Sequence, residues 1–365
     1  MKSAPAISII TPVWNGLPLI KQCIASVLAQ DFKNWELIVS DNASTDGTPE
    51  YLDTLNDPRI RIYKQQENLG IMGNVNFLFS QARAPLSQIL CADDYFLNPR
   101  SLSGIIGYWA TASPEIGMAR FGYTDVQYKG IKNKEAGIPH TLNPDNALMW
   151  FFVFGNFMGN LSYLSIRTPL VSKYGYFHPT MNYVGDFEFW ARLARKVSME
   201  VGRKPVIYVR EHDKSATSRQ FFNGSLFEQH LMIYEKLIED LARNFDRQRL
   251  IDYFNYDVCS MHYRFALKAI TKGQYIYLKK ILRSRSAILW PKWKQLLICL
   301  PLAIFNLRSR VTYTMGIGLI NDQLARQNQT DNSTANNSST NNSTTNNSST
   351  SNSLTNNIST KISTL

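Results

Sequence analysis

A doubly wound, mostly parallel α/β sheet, followed by a helical C-terminal subdomain and a disordered tail, is the architecture this sequence predicts. Three observations predict it. Short apolar strands alternate with amphipathic helices over roughly the first hundred residues, a polar string follows every strand, and a basic helical stretch gives way abruptly to an Asn/Ser/Thr tract. The chain has 365 residues, 44% apolar and 12% aromatic, enough for one large or two moderate cores.

The elements follow in order. Ile7 to Thr11 reads as a buried strand. A turn with Asn15, Gly16 and Pro18 leads into a helix whose Leu19, Ile20, Cys23, Ile24, Val27 and Leu28 form one apolar stripe. Trp35 to Ser40 is the second strand, and the polar turn Asp41 to Thr48 opens a helix running through Leu55. Arg59 to Tyr63 is the third strand, Asn68 to Gly70 a turn, and Met72, Val75, Phe79 and Ala82 one face of the third helix. Ser87 to Cys91 is the fourth strand. Open sheets of this kind bind ligands beyond the carboxyl ends of their strands, where TPVWNG, DNASTDGT, ENLG and ADD all fall.

The first turn lacks GxGxxG and the chain has no GxxxxGK[ST], which argues against a dinucleotide-binding Rossmann enzyme and a P-loop protein. The four cysteines, Cys23, Cys91, Cys259 and Cys299, form no CxxC pair and no zinc spacing, as suits a reducing compartment. MKSAPA runs directly into ISIIT without the layout of a signal peptide, so a cytoplasmic location is expected.

The formal net charge is +11, and its distribution bears on partners. From Arg264 to Arg326 a dozen Lys and Arg face Asp322 alone, interleaved with Trp290, Trp293 and the apolar run Leu296 to Leu307. That run is too short for a membrane span, which takes about 20 residues. It resembles a segment that lies on an anionic bilayer surface, although a helical subdomain with solvated lysines fits the same pattern. No nucleic-acid motif accompanies the charge. After Ala325 the tract has too few apolar groups to offset the entropy of ordering, and a disordered tail is expected.

CADDYF, Cys91 to Phe96, puts two adjacent carboxylates at a strand's end. Mg²⁺ and Mn²⁺ favour a few carboxylates completed by phosphate and water, so such a pair suffices when the ligand brings phosphate. An Asx turn capped by Asp93 would look the same.

Taken jointly, ISIITPVWNG, VSDNASTDGT, ENLGIMGNVNF and ILCADDYFLNP resemble the nucleotide-sugar-binding half of family two glycosyltransferases with the GT-A fold. The likeness is close from about Ile7 to Pro99 and looser to about Ser218. It implies a GT-A domain over residues 1–220, with a nucleotide-sugar-binding half at 1–100 and an acceptor half at 101–220. The helical basic region then covers 221–326 and the tail 327–365.

The resemblance also implies roles. Thr11, Pro12, Trp14 and Asn15 would line the donor, with Trp14 stacking on the base where the family usually has Tyr. Asp41 would accept a hydrogen bond from the base, favouring uracil or thymine. A core position for Trp14 and a helix-entry cap for Asp41, with Ser44 and Asp46, are the plain alternatives. Asn68 and Gly70 match the family's NxG, with Asn76 following. In the DXD motif Asp94 matches the metal ligand and Asp93 the acid near the ribose or the metal's water shell, while Cys91 stands where a further acid often lies. In NYVGDFEFWARLA, Asp186 aligns with the catalytic base at a helix head, and Gly185 replaces a common acid. A simple cap on that helix is the alternative for Asp186. In VIYVREHDKSATS, Arg210 would face the phosphates and His212 would be a further metal or pyrophosphate contact.

The activity implied is inverting transfer from a UDP- or dTDP-sugar, with Mn²⁺ or Mg²⁺, to a hydroxyl of a glycan acceptor. A lipid-linked acceptor in cell-surface polysaccharide synthesis follows by analogy. A non-catalytic nucleotide-sugar-binding module and, more remotely, a sugar nucleotidyltransferase are the alternatives.

Overall fold

The computed structural model describes residues 4–122, 137–202, 204–210 and 223–339. Its centre is an eight-stranded sheet in the order β3-β2-β1-β4-β8-β6-β9-β7. These strands are β1 (Ile7–Val13), β2 (Trp35–Asp41), β3 (Ile60–Lys64), β4 (Leu86–Ile89), β6 (Ile116–Arg120), β7 (Thr141–Leu142), β8 (Leu164–Arg167) and β9 (Ser198–Val201).

The first four strands are parallel neighbours, as the sequence predicts. β1 and β2 are paired so that Val13 lies opposite Asp41, and both strands run past their expected ends. The loops after them therefore leave the same edge side by side. β4 is shorter than expected at its end: Leu90 still donates to the Ile10 carbonyl at 2.9 Å, but the Cys91 amide turns to the Ser162 hydroxyl at 2.9 Å. Beyond β4 the sheet becomes mixed, with β8 antiparallel to both β4 and β6.

Helices α1 (Leu19–Leu28), α2 (Thr48–Asp53) and α3 (Gly70–Gln81) connect the parallel strands. α1 buries Ile20, Cys23, Ile24 and Val27, the i, i+3, i+4, i+7 set of an amphipathic helix. After β4 the chain adds β5 (Tyr95–Phe96), then α4 (Ser101–Thr111). β5 pairs antiparallel with β10 (Ile207–Tyr208) in a small second sheet, which returns Arg210 to the edge where β4 ends.

The aromatic run after β7 forms α5 (Ala147–Phe154), whose Trp150, Phe151 and Phe152 are fully buried. α6 (Pro169–Lys173) and α7 (Gly185–Leu193) follow, and α7 buries Phe187, Phe189 and Trp190. The C-terminal region opens with α8 (Ser225–Leu241) and α9 (Arg247–Phe254). It shares the core of the sheet domain: Tyr234 of α8 packs edge-on to Phe152 of α5 at 5.7 Å. A π-helical turn (Asn255–Cys259), α10 (Ser260–Ile270) and α11 (Ile276–Arg283) come next. α12 (Lys292–Lys294), a second π-helical turn (Gln295–Cys299), α13 (Leu300–Ile304) and α14 (Arg308–Ser339) complete the chain. α14 continues over the first residues of the Asn/Ser/Thr tract; 340–365 lie outside the described residues, and so does the expectation that they are disordered.

Candidate active site

At the shared carboxyl edge, two loops bind each other. Asn15, in the left-handed region at φ 48°, donates its amide to Ser44 Oγ at 2.7 Å, and its side-chain oxygen accepts from Thr45 N at 2.7 Å. Asp46 takes the Leu17 amide at 3.0 Å and, through its other oxygen, the Thr48 amide and hydroxyl at 3.1 and 2.6 Å. Asp46 therefore makes the helix-entry bonds that could have occupied Asp41.

Asp41 is left for something else. It is 2% exposed, its Oδ2 accepts from Ser44 N at 3.3 Å, and its Oδ1 is buried with no partner among the described residues. A buried carboxylate oxygen left without a donor is costly, and Asp41 sits opposite Val13, the residue before Trp14. Trp14 is 50% exposed, which removes the core-aromatic alternative. Thr11 is buried and Pro12 partly so near the end of β1.

The NxG string holds the loop after β3. Asn68 Oδ1 accepts from Asn42 Nδ2 at 2.9 Å and from Gly70 N at 2.8 Å, and Gly70 has φ 73°, where glycine is favoured. Asn76 makes a two-way bond with the backbone of Phe177, at 2.7 and 2.9 Å. These asparagines fix loops and tie α3 to the segment before α7.

Beyond β4, one ligand atom each of Cys91, Asp93 and Asp94 lies within 4.8 Å of the others. Asp94 is 2% exposed; its Oδ2 accepts from Ser162 Oγ at 2.5 Å and its Oδ1 from Arg210 N at 3.0 Å. Burial first, and the charge of Asp93 second, push Asp94 up to about 8, against the opposing pull of those two donors. Burial, helped by both aspartates, keeps the Cys91 thiol protonated, so its sulfur is a poor partner for a hard cation. Two crowded carboxylates whose mutual repulsion a divalent cation would relieve fit Mg²⁺ or Mn²⁺, with Asp94 and Asp93 as the groups that would hold it. Arg210 contributes its backbone amide, while its guanidinium lies 5.1 Å over the Tyr95 ring and donates to Gln22 Oε1. His212 lies outside the described residues.

Asp186 stands in the first turn of α7. Its Oδ1 accepts from Phe187 N at 2.7 Å and its Oδ2 from Asn156 Nδ2 at 2.9 Å. Burial pushes it up to about 6, and the two hydrogen bonds pull the other way. A carboxylate tuned to that range can accept a proton near neutrality. Gly185 has a packing reason: a Cβ there would meet Met72 Cγ and Cε of α3 at 3.0 Å, so any larger residue requires the Met72 side chain to give way.

The segment Gly155–Ser162 serves both carboxylates. Asn156 holds Asp186; the Asn160 side chain accepts from Ser162 N at 2.9 Å, starting a 3₁₀ turn that aims Ser162 Oγ at Asp94. Sequence reasoning missed Asn156 and Ser162. The available signal was the pair of Gly-Asn steps after the aromatic run, a turn chemistry unexpected in the middle of a core segment.

A model of the family described as Glycosyl transferase family 2 matches residues 8–166. A putative colanic acid biosynthesis glycosyl transferase of Escherichia coli (strain K12), WcaA, is 44% identical over 72 residues, 19% of this chain and 26% of that protein. An uncharacterized glycosyltransferase of Rickettsia typhi (strain ATCC VR-144 / Wilmington) is 25% identical over 248 residues, 68% of this chain and 75% of the relative. A putative teichuronic acid biosynthesis glycosyltransferase of Bacillus subtilis (strain 168), TuaG, is 35% identical over 92 residues, 25% of this chain and 36% of that protein. Among solved structures, S. aureus TarS 1-349 in complex with UDP-GlcNAc superposes with a TM-score of 0.56 at 16% identity, covering 88% of this chain and 92% of that one. Residues 8–166 thus match glycosyl transferase family 2, and over most of its length the chain shares the fold of TarS 1-349.

Proposed function

We propose that the protein is an inverting, metal-dependent glycosyltransferase that moves a sugar from a UDP- or dTDP-sugar to a hydroxyl of a glycan acceptor. The observation that carries this reading is the segment Gly155–Ser162, which positions Asp186 through Asn156 and Asp94 through Ser162. A binding module would need the second carboxylate alone.

The donor's base stacks on exposed Trp14 and gives its ring N–H to the partnerless Oδ1 of Asp41, which supports the choice of uracil or thymine. Thr11, Pro12 and Asn15 border the nucleoside, Asn68 and Gly70 shape its loop, and Asp93 and Arg210 flank the diphosphate. Asp94 and Asp93, with His212 as a further contact, would hold Mn²⁺ or Mg²⁺, which when bound would supply neutralisation of the charge on the nucleoside diphosphate. Asp186 takes the proton of the acceptor hydroxyl as that oxygen bonds to the anomeric carbon from the face opposite the diphosphate. The bond from that carbon to the phosphate oxygen breaks, its electron pair leaves with the diphosphate, and the anomeric configuration inverts. The ordering of both carboxylates before the donor binds reduces reorganisation during the transfer.

The relatives named for colanic acid and teichuronic acid biosynthesis support a role in cell-surface polysaccharide synthesis, and the basic 264–326 region supports a lipid-linked acceptor met at the cytoplasmic face of an anionic membrane. Calorimetry with UDP-, dTDP-, GDP- and ADP-sugars, with and without Mn²⁺, tests the donor. Metal-dependent binding of one uridine or thymidine donor, lost in Asp94→Ala, is the expected result; binding of none of them would overturn the reading.

A further inference from the structure

Along Lys292–Ile304 the usual arrangement of a surface helix is reversed. The residues turned inward are Gln295, Cys299 and Ala303, one turn apart and buried. Gln295 is bound there, its Oε1 accepting from the Tyr263 hydroxyl at 3.1 Å and its Nε2 donating to the Trp290 carbonyl at 2.5 Å. Trp293, Leu297 and Ile304 form the outward stripe, 65%, 68% and 55% exposed, and Phe305 at the following bend is 69% exposed. A helix of a water-soluble domain puts such residues on the side that meets its core.

The stripe ends where Lys292–Ile304 and Arg308–Gln329 meet at 111°. Among the described residues no single helix is long and apolar enough to cross a membrane. Cations border the stripe: Lys294 follows Trp293 and Arg310 lies beyond the bend, while Lys292 and Arg308 are held within the protein, by the Ile281 carbonyl at 2.9 Å and Asp257 at 3.3 Å. The whole of 264–326 carries twelve Lys and Arg against Asp322, a balance of +11 equal to that of the entire chain. An exposed apolar stripe that includes a Trp and is bordered by cations suits a helix lying in the plane of a bilayer interface, its apolar side toward the hydrocarbon and its cations level with the phosphates. Hydrocarbon lies innermost there, amphipathic rings at the headgroups, and anionic phosphate outside.

We propose that Trp293, Leu297, Ile304 and Phe305 enter the interface of an anionic bilayer as an in-plane wedge, with the flanking cations on the headgroup phosphates. This rests on the membrane partner proposed above and is independent of the transfer chemistry. A second copy of the chain is disfavoured as the occupant because two faces carrying the same excess of positive charge would meet.

The test is flotation of the full chain with phosphatidylcholine vesicles with and without phosphatidylglycerol, using wild type, L297S/I304S/F305S and a K279Q/R283Q/K294Q/R310Q variant. Because the chain has seven tryptophans, the part of the quenching by brominated lipids that is lost in W293F reports insertion of Trp293; circular dichroism and donor binding confirm folding, and size-exclusion chromatography reports self-association. Wild type should bind anionic vesicles with quenched Trp emission, and the apolar and charge variants should each bind at least about tenfold more weakly. If the charge variant is released but the apolar variant binds like wild type, the wedge is wrong and the membrane partner stands. If wild type ignores both vesicles, both are wrong. A wild-type dimer dissociated by the apolar substitutions would assign the stripe to a second copy and overturn the proposal.

Discussion

Replacing Asn156 with leucine keeps the side chain's size and removes one of the two hydrogen bonds that favour the ionised form of Asp186, the 2.9 Å bond to Oδ2. The Phe187 amide at 2.7 Å remains. A hydrogen bond to a charged group contributes about 1.5–3 kcal/mol, so its loss raises the carboxyl by about 1–2 pH units. The sign follows from the role: a general base works only when ionised, and Asp186 already titrates at about 6. Wild-type kcat/KM should therefore rise through an acidic limb near pH 6, and in Asn156→Leu that limb should move up by about 1–2 units. The assay is the initial rate of nucleoside diphosphate release with acceptor from pH 5 to 9, alongside donor affinity by calorimetry. Donor affinity should change little, because Asn156 touches the base and not the donor pocket. A uniform fall in rate with the limb unmoved would refute the reasoning and reduce Asn156 to a loop anchor.

Asp186→Asn should raise stability by up to about 3 kcal/mol at pH 8, because the folded chain keeps the proton up to about pH 6 whereas the unfolded carboxyl loses it from the ordinary value of 3.8, a cost that builds between those values and is constant above them; the gain should vanish below about pH 4, as melting curves at the two pH values would show. Trp14→Ala should weaken donor binding by the worth of one stacked base, about 1–3 kcal/mol or roughly 5- to 150-fold in Kd, with Trp14→Phe retaining most of it; unchanged calorimetric affinity would place the base elsewhere. Gly185→Glu, which restores an acid common in the family, should destabilise the fold by about 1–3 kcal/mol through the 3.0 Å approach to Met72, and Met72→Ala should recover part of that loss in urea unfolding.

The parallel half of the sheet was legible because each strand and helix there carries its own period and its own turn residues. α1 and α3 bury the middle of the predicted stripes, Ile20 to Val27 and Met72 to Phe79, while Leu28 at the end of α1 is exposed. The mixed half was not, because the antiparallel strand β8 is set by tertiary pairing with β4 and β6 and has only four residues, too few for a periodic signal. At the candidate site the carboxylates were readable from type and place. Their partners were not: Ser162 lies 68 residues from Asp94 and Asn156 lies 30 from Asp186, contacts that only the folded chain creates. Asn68 reads as a donor contact in the sequence, yet its oxygen is occupied by Asn42 and Gly70. The exposure of Leu297 and Phe305 was equally hidden, because an apolar run looks the same whether its stripe faces a core or a membrane.

The central claim is that Asp186 does chemistry on a donor held elsewhere. Single-turnover release of the nucleoside diphosphate in the presence of acceptor, measured with donor affinity on the same samples of wild type and Asp186→Asn, tests it most directly. Equal affinity with turnover lowered by about 100-fold or more is the predicted result. Equal affinity with equal turnover would remove Asp186 from the mechanism, and equal affinity with no turnover in either protein would make the chain a nucleotide-sugar-binding module.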